Sequence, residues 1–143
     1  MGEEHLPSTD PELVHQCQSE YDSVFRSGSQ QDVDGARFRL VWAMVHSTDE
    51  RHVQRGMEMA RVKLREGSKL SDKDNKEYTY LLSVAYYKLG KYVDARTHLK
   101  ALLEMQSDFR QAEFLKGLVD DAIIKHGLVG VGIGAAVLGV GLA

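Results

Sequence analysis

Tyr78–Met105 reads YTYLLSVAYYKLGKYVDARTHLKALLEM, and its two halves share one pattern. Leu81, Leu82, Ala85, Tyr86 and Leu89 recur at intervals of three and four until Gly90 interrupts them. The spacing resumes with Tyr92, Ala95, Leu99, Leu102 and Leu103. Each half is the apolar stripe of an amphipathic helix, and Gly90 leaves room for nothing longer than a tight turn. Two helices so joined pack antiparallel as a hairpin.

The hairpin resembles a tetratricopeptide repeat, whose signature runs W-x2-L-G-x2-Y, then A-x3-F, then Pro. Thr79, Leu82, Ser83, Tyr86, Ala95 and Leu99 occupy the successive places, with Thr79 for Trp and Ser107 for Pro as departures. Ser83 and Ala95 are small where two helix backbones must approach, and Tyr86 fills the space beside them. The same resemblance appears upstream. Phe38 to Leu64 forms a second helix pair, and Gly56 holds in it the place that Ala95 holds in the first, 39 residues later. A repeat of roughly 34 residues, stretched by the polar loop GSKLSDKDNKE at 67–77, gives that spacing.

The remaining segments follow the same logic. Residues 1–9 are polar and unpatterned, as expected of a flexible arm. Asp10-Pro11-Glu12 opens a helix, with Asp10 as N-cap and Pro11 in the first turn. Leu13, Cys17, Tyr21 and Val24 form its stripe, ending at Gly28, so Cys17 is expected as a buried, inert thiol. A second helix from about Asp32 to His46 is apolar on two faces. Phe38, Val41, Trp42 and Val45 make one, read as core, and Leu40 and Met44 make the other. Ser47 and Glu50 suggest a capping box before the helix of Val53, Met57, Ala60 and Leu64. Gly56 interrupts that helix at about 1 kcal/mol against alanine, tolerable where a neighbouring helix needs the room. Ser71 and Asp74 make a second capping signal. A last helix after Ser107 or Asp108 aligns Phe109, Ala112, Leu115, Val119 and Ile123.

Composition narrows the function. The chain has 143 residues, a net charge of −3, one cysteine and two prolines, Pro7 and Pro11. That permits long helices, rules out an internal disulfide, and leaves no basic face for nucleic acid. The six histidines form no metal-ligand pattern, and no phosphate loop or nucleophile elbow is present. No enzyme, metal or cofactor is expected. Every charged residue precedes Gly127. The stretch GLVGVGIGAAVLGVGLA at 127–143 would rise about 26 Å as a helix, slightly short of a bilayer core of roughly 30 Å. Six glycines fit a membrane helix better than a soluble one. The expectation is a C-terminal transmembrane tail anchor over 127–143, below a cytosolic helical domain over 10–126. Gly130 and Gly134 form a GxxxG pair suited to self-association of two anchors.

Taken together, the residues resemble the mitochondrial fission 1 proteins, tail-anchored adaptors of the outer mitochondrial membrane and peroxisomes. The resemblance rests on Phe38-x3-Trp42 with Val45 and Ser47, Gly56, Leu89-x2-Tyr92-x2-Ala95, Leu102-Leu103 and Gly127-Leu128-Val129-Gly130. It implies an all-α, six-helix bundle whose middle four helices are two tetratricopeptide-like pairs. It also implies a concave groove for a dynamin-related GTPase and TBC-domain Rab GTPase-activating proteins. The family's groove positions fall on Leu40, Met44, Tyr80, Val84, Tyr87 and Lys88. On the residues alone, the same stripe would be a second core face if the first helix covered it. Two features depart from the family: Leu40-Val41 stands before Trp42 where Tyr-Ala is commoner, and no basic segment follows the apolar run. A rival reading, a docking receptor for a chaperone or another C-terminal peptide, would need Lys88 and Arg37 to converge on a carboxylate.

Overall fold

The computed structural model describes residues 6–127, which form six α-helices and, among the described residues, no strand. The helices are α1 (Pro11–Ser27), α2 (Gln30–Val45), α3 (Glu50–Leu64), α4 (Asp72–Lys88), α5 (Tyr92–Met105) and α6 (Arg110–Lys125). A 3-10 turn at Gly67–Lys69 links α3 to α4. The expected anchor over 127–143, with its Gly130 and Gly134 pair, lies outside the described residues apart from Gly127. No described helix is long and apolar enough to cross a membrane.

Side chains set the helix starts. The Asp10 carboxylate accepts from the Glu12 and Leu13 amides and caps α1. Ser29 and Asp32 form a reciprocal capping box on α2, and Ser71 accepts from the Asp74 amide to cap α4. The cap of α3 differs from expectation. Asp49 accepts the Arg51 amide at 2.9 Å, whereas the Ser47 hydroxyl accepts the Asp49 amide at 3.0 Å and pairs with the His52 ring. A carboxylate at a helix N-terminus meets both the open amides and the macrodipole, so Asp49 displaces Ser47 from the role.

The helices stack in order, each against its neighbours, and α4 is the middle of the stack. It touches α2, α3, α5 and α6, so Leu81 through Tyr86 are all buried. Ser83 and Ala95 are fully enclosed at the α4–α5 crossing, as their small size requires. Gly56 does the same work between α3 and α2. A Cβ there would lie 2.9 Å from Met44 Cβ and 2.9 Å from Val45 Cγ1. The turn at Gly90 has φ +78°, the left-handed region that glycine adopts without strain. Ala112, Leu115, Val119 and Ile123 close the core from α6.

Two expectations about the first third need correction. Val14, rather than Leu13, is the buried residue of α1. Thr9, placed in the arm by its sequence, is built into the domain. Its N–H donates to the His46 carbonyl at 2.9 Å, and its carbonyl accepts from Thr48 at 3.2 Å. Its buried hydroxyl donates to the Ala43 carbonyl at 2.7 Å. Thr9 thereby satisfies carbonyls that the end of α2 leaves open.

Candidate functional site

Helix α2 carries two apolar faces, and both are packed: Val41 and Val45 are core as expected, with Phe38 and Trp42 against them, while the Leu40 and Met44 face is enclosed as well. Leu40 and Met44 are 1% and 0% exposed and pack with Val14 and Ala43 beneath α1, beside Cys17 and Tyr21. The placement of Leu40 and Met44 in an open groove is therefore corrected: α1 covers them. Residues two apart on a helix point about 200° from one another, so burying Leu40 turns Phe38 and Trp42 the other way. Both are half-buried. Phe38 meets Tyr78 of α4 edge-on at 5.5 Å, and Trp42 lies over the His46 ring at 4.3 Å.

Tyr80, Val84 and Tyr87 of α4 lie one turn apart and form the adjoining strip. Val84 is fully buried and Tyr80 9% exposed, so these two are floor rather than rim. Tyr80 stacks on Phe109 at 5.6 Å, and burial pushes its phenol up to about 12. Tyr87 is half-buried against Tyr92 at 5.8 Å. Burial raises its phenol as well, with the nearby carboxylate of Asp121 on α6 adding to the effect.

Helix α6 supplies a third rail that the sequence reading missed. Asp120 binds Arg96 of α5 at 2.9 Å and Lys116 at 2.9 Å, which marks the flank of α6 facing α5. Phe114 and Leu118 lie one turn apart on the other flank, both half-buried, and Leu118 packs against the main core. The available signal was a second i, i+4 apolar pair beside the core stripe. The first helix of each pair thus carries aromatic side chains beside the core, Phe38 and Trp42 on α2 and Tyr80 and Tyr87 on α4, and α6 carries the half-buried pair Phe114 and Leu118.

The two cations near this face are already engaged. Lys88 donates to the His46 carbonyl at 3.3 Å, and its half-buried ammonium is held below its ordinary pKa by desolvation. Arg37 turns toward α1, paired with Asp34 at 3.1 Å and lying 5.7 Å over the Tyr21 ring. They do not converge, so the carboxylate clamp of a peptide-docking receptor is not formed. Cys17 is half-buried, and burial followed by Glu20 raises its thiol pKa, which disfavours the reactive thiolate. Among the described residues no group of His, Cys, Asp or Glu could hold a metal ion.

Comparison with known proteins follows the same helix pairs. The family model for the Fis1 N-terminal tetratricopeptide repeat matches residues 35–67, and that for the Fis1 C-terminal tetratricopeptide repeat matches 76–128. Mitochondrial fission 1 protein A of Arabidopsis thaliana is 37% identical over 138 residues, covering 96% of this chain and 80% of the relative. The chain belongs to the mitochondrial fission 1 family. The Mus musculus member is 35% identical over 109 residues, 75% of this chain and 70% of its own. The family fold is also seen at lower identity. The crystal structure of fission protein Fis1 from Saccharomyces cerevisiae aligns with a TM-score of 0.67 at 22% identity, over 88% of this chain and 98% of that one. Yeast Fis1 in complex with an Mdv1 fragment containing N-terminal extension and coiled-coil domains aligns at 0.69 and 22%, over 88% and 99%.

Proposed function

We propose that this fission-family member is a non-enzymatic adaptor, fixed to the mitochondrial outer membrane and to peroxisomes by residues 127–143. Its groove would recruit cytosolic fission machinery there. The single observation that carries the reading is the half-exposed aromatic surface carried by α2, α4 and α6. Phe38, Trp42, Tyr87, Phe114 and Leu118 keep part of their surface in water although the chain has a fully buried core elsewhere. Half-exposed aromatic side chains are the composition of a protein-binding surface. In this proposal Tyr80 and Val84 form its floor, Lys88 closes its end, and Leu40 and Met44 support it from behind.

A helical partner suits such a trough, since an amphipathic helix lays its apolar side into a groove between helices. The complex of yeast Fis1 with a coiled-coil-containing fragment supports a partner of that kind. The fission machinery to be gathered comprises a dynamin-related GTPase and TBC-domain Rab GTPase-activating proteins. Surface concentration is the mechanism: a groove of modest affinity, anchored in two dimensions, raises local density until assembly begins.

The test is recruitment in cells lacking the native protein. The full chain should restore mitochondrial accumulation of the dynamin-related GTPase. A Phe38→Ala, Tyr87→Ala double variant of equal abundance and location should not. Full recruitment by the double variant would remove the groove from the mechanism.

A further inference from the structure

We propose that the end of the bundle built from the α4–α5 turn and the last turn of α6 is a membrane-contact face, seated in the headgroup region of a phospholipid bilayer. The proposal rests on the reading of 127–143 as a membrane segment and adds how the folded domain is held against that membrane.

Three observations meet at this end. The last charged residue of the chain is Lys125, so the uncharged run begins as soon as α6 stops. Ile124, in that last turn, is 65% exposed, the most exposed large hydrophobic residue among those described. Tyr92, the first residue of α5, stacks on His126 at 5.3 Å with the rings within 19° of parallel. The stack ties the α4–α5 turn to the point where the chain leaves the domain. At about 1.5 Å per residue, Ile124 and His126 stand about 5 and 2 Å before Gly127. Neither distance exceeds the roughly 5–10 Å depth of the boundary zone in which apolar faces and tyrosine rings settle.

Gly127 bears on this contact. Its φ is +69°, a left-handed residue that ends α6 instead of extending it. Helix α6 therefore stops at the edge of the domain, where contacts made by the end of the bundle can set its orientation. That end is balanced in charge. Lys91 and Lys125 are matched by Asp94 and Asp121 within a turn of each, and the remaining cation, Lys88, is turned inward to the His46 carbonyl at 3.3 Å. The chemistry fits the interfacial zone of a zwitterionic bilayer rather than a layer of anionic headgroups.

The experiment uses the full chain with Cys17→Ser, reconstituted in phosphatidylcholine vesicles. Single cysteines replace Lys91, Ile124 or Glu104 and carry an environment-sensitive fluorophore. Glu104, at the far end of α5, stands about 18 Å from Tyr92. Labels at 91 and 124 should be blue-shifted and several-fold less accessible to iodide than the label at 104. Adding phosphatidylserine should leave this unchanged. Tyr92→Ala should expose the label at 91 while the protein stays in the vesicles. Equal quenching at 91 and 104, in vesicles that retain the protein through a carbonate wash, would overturn the contact face. Protection that appears only with anionic lipid would overturn the zwitterionic assignment. Loss of the protein in the wash would instead strike down the membrane segment, and this face with it.

Discussion

Thr9 and Lys88 donate to one oxygen, the carbonyl of His46, at 2.9 and 3.3 Å. The segment before α1 and the end of α4 are thereby joined at the end of α2. Thr9 adds a second tie through its hydroxyl to Ala43. Thr9→Val keeps the shape and removes that donor, leaving a buried carbonyl short of a partner. The expected loss is about 1–3 kcal/mol, read from urea denaturation, with faster proteolysis ahead of Pro11. An unchanged midpoint would mean that the clip contributes nothing to the fold.

Gly56→Ala separates propensity from packing. Alanine improves an exposed helix by about 1 kcal/mol, but here the added methyl would press on Met44 and Val45 at 2.9 Å. Neither neighbour can swing aside, since both are fully buried. Overpacking should win by about 1–3 kcal/mol. A variant more stable than the wild type would show that α2 and α3 can part more easily than their contact suggests.

Much of this was legible in the sequence, and the misses share a cause. The α4–α5 hairpin, the close approach at Gly56 and the α6 core stripe follow from spacing within one window. The orientation of α2 does not. Phe38 with Trp42 and Leu40 with Met44 are equally apolar pairs, and only the position of α1, set by contacts outside the window, decides which is covered. The cap of α3 was ambiguous because Ser47 and Asp49 both suit the position. The Phe114–Leu118 flank was overshadowed by the stronger stripe beside it.

The burial of Leu40 beneath α1 is open to a direct stability test. Leu40→Ala deletes a wholly enclosed side chain and should cost about 2–5 kcal/mol. Tyr87→Ala removes a half-exposed ring and should cost distinctly less. Chemical denaturation of the two variants side by side decides the matter, and the reverse order would put Leu40 back on an open face.

His46 gives the domain a pH dependence of definite sign. Burial holds its pKa below the ordinary 6.5, with the hydrogen bond to the Trp42 carbonyl opposing and the Lys88 charge assisting. A carbonyl can only accept, so Nδ1 donates at 2.8 Å, and burial favours the neutral ring in the folded state. The unfolded chain takes up a proton below about pH 6.5 and the folded one does so only at lower pH. Stability is then full above 6.5 and declines as the pH falls from 6.5 toward the depressed folded value. Melting temperature should drop across that window, and His46→Gln should flatten the slope. An equally steep slope in the variant would exclude His46 as its source.

The central claim is that the α2–α4–α6 face meets the fission machinery, and site-specific photocrosslinking in cells tests it most directly. A photoreactive phenylalanine analogue would replace Tyr87 or Phe38 in the full chain, with controls at Phe25 and Val62, which are 62% and 53% exposed on the outer sides of α1 and α3. Adducts with the dynamin-related GTPase or a protein bound to it are expected from positions 87 and 38, and none from 25 or 62. Adducts from 25 or 62 alone would contradict it.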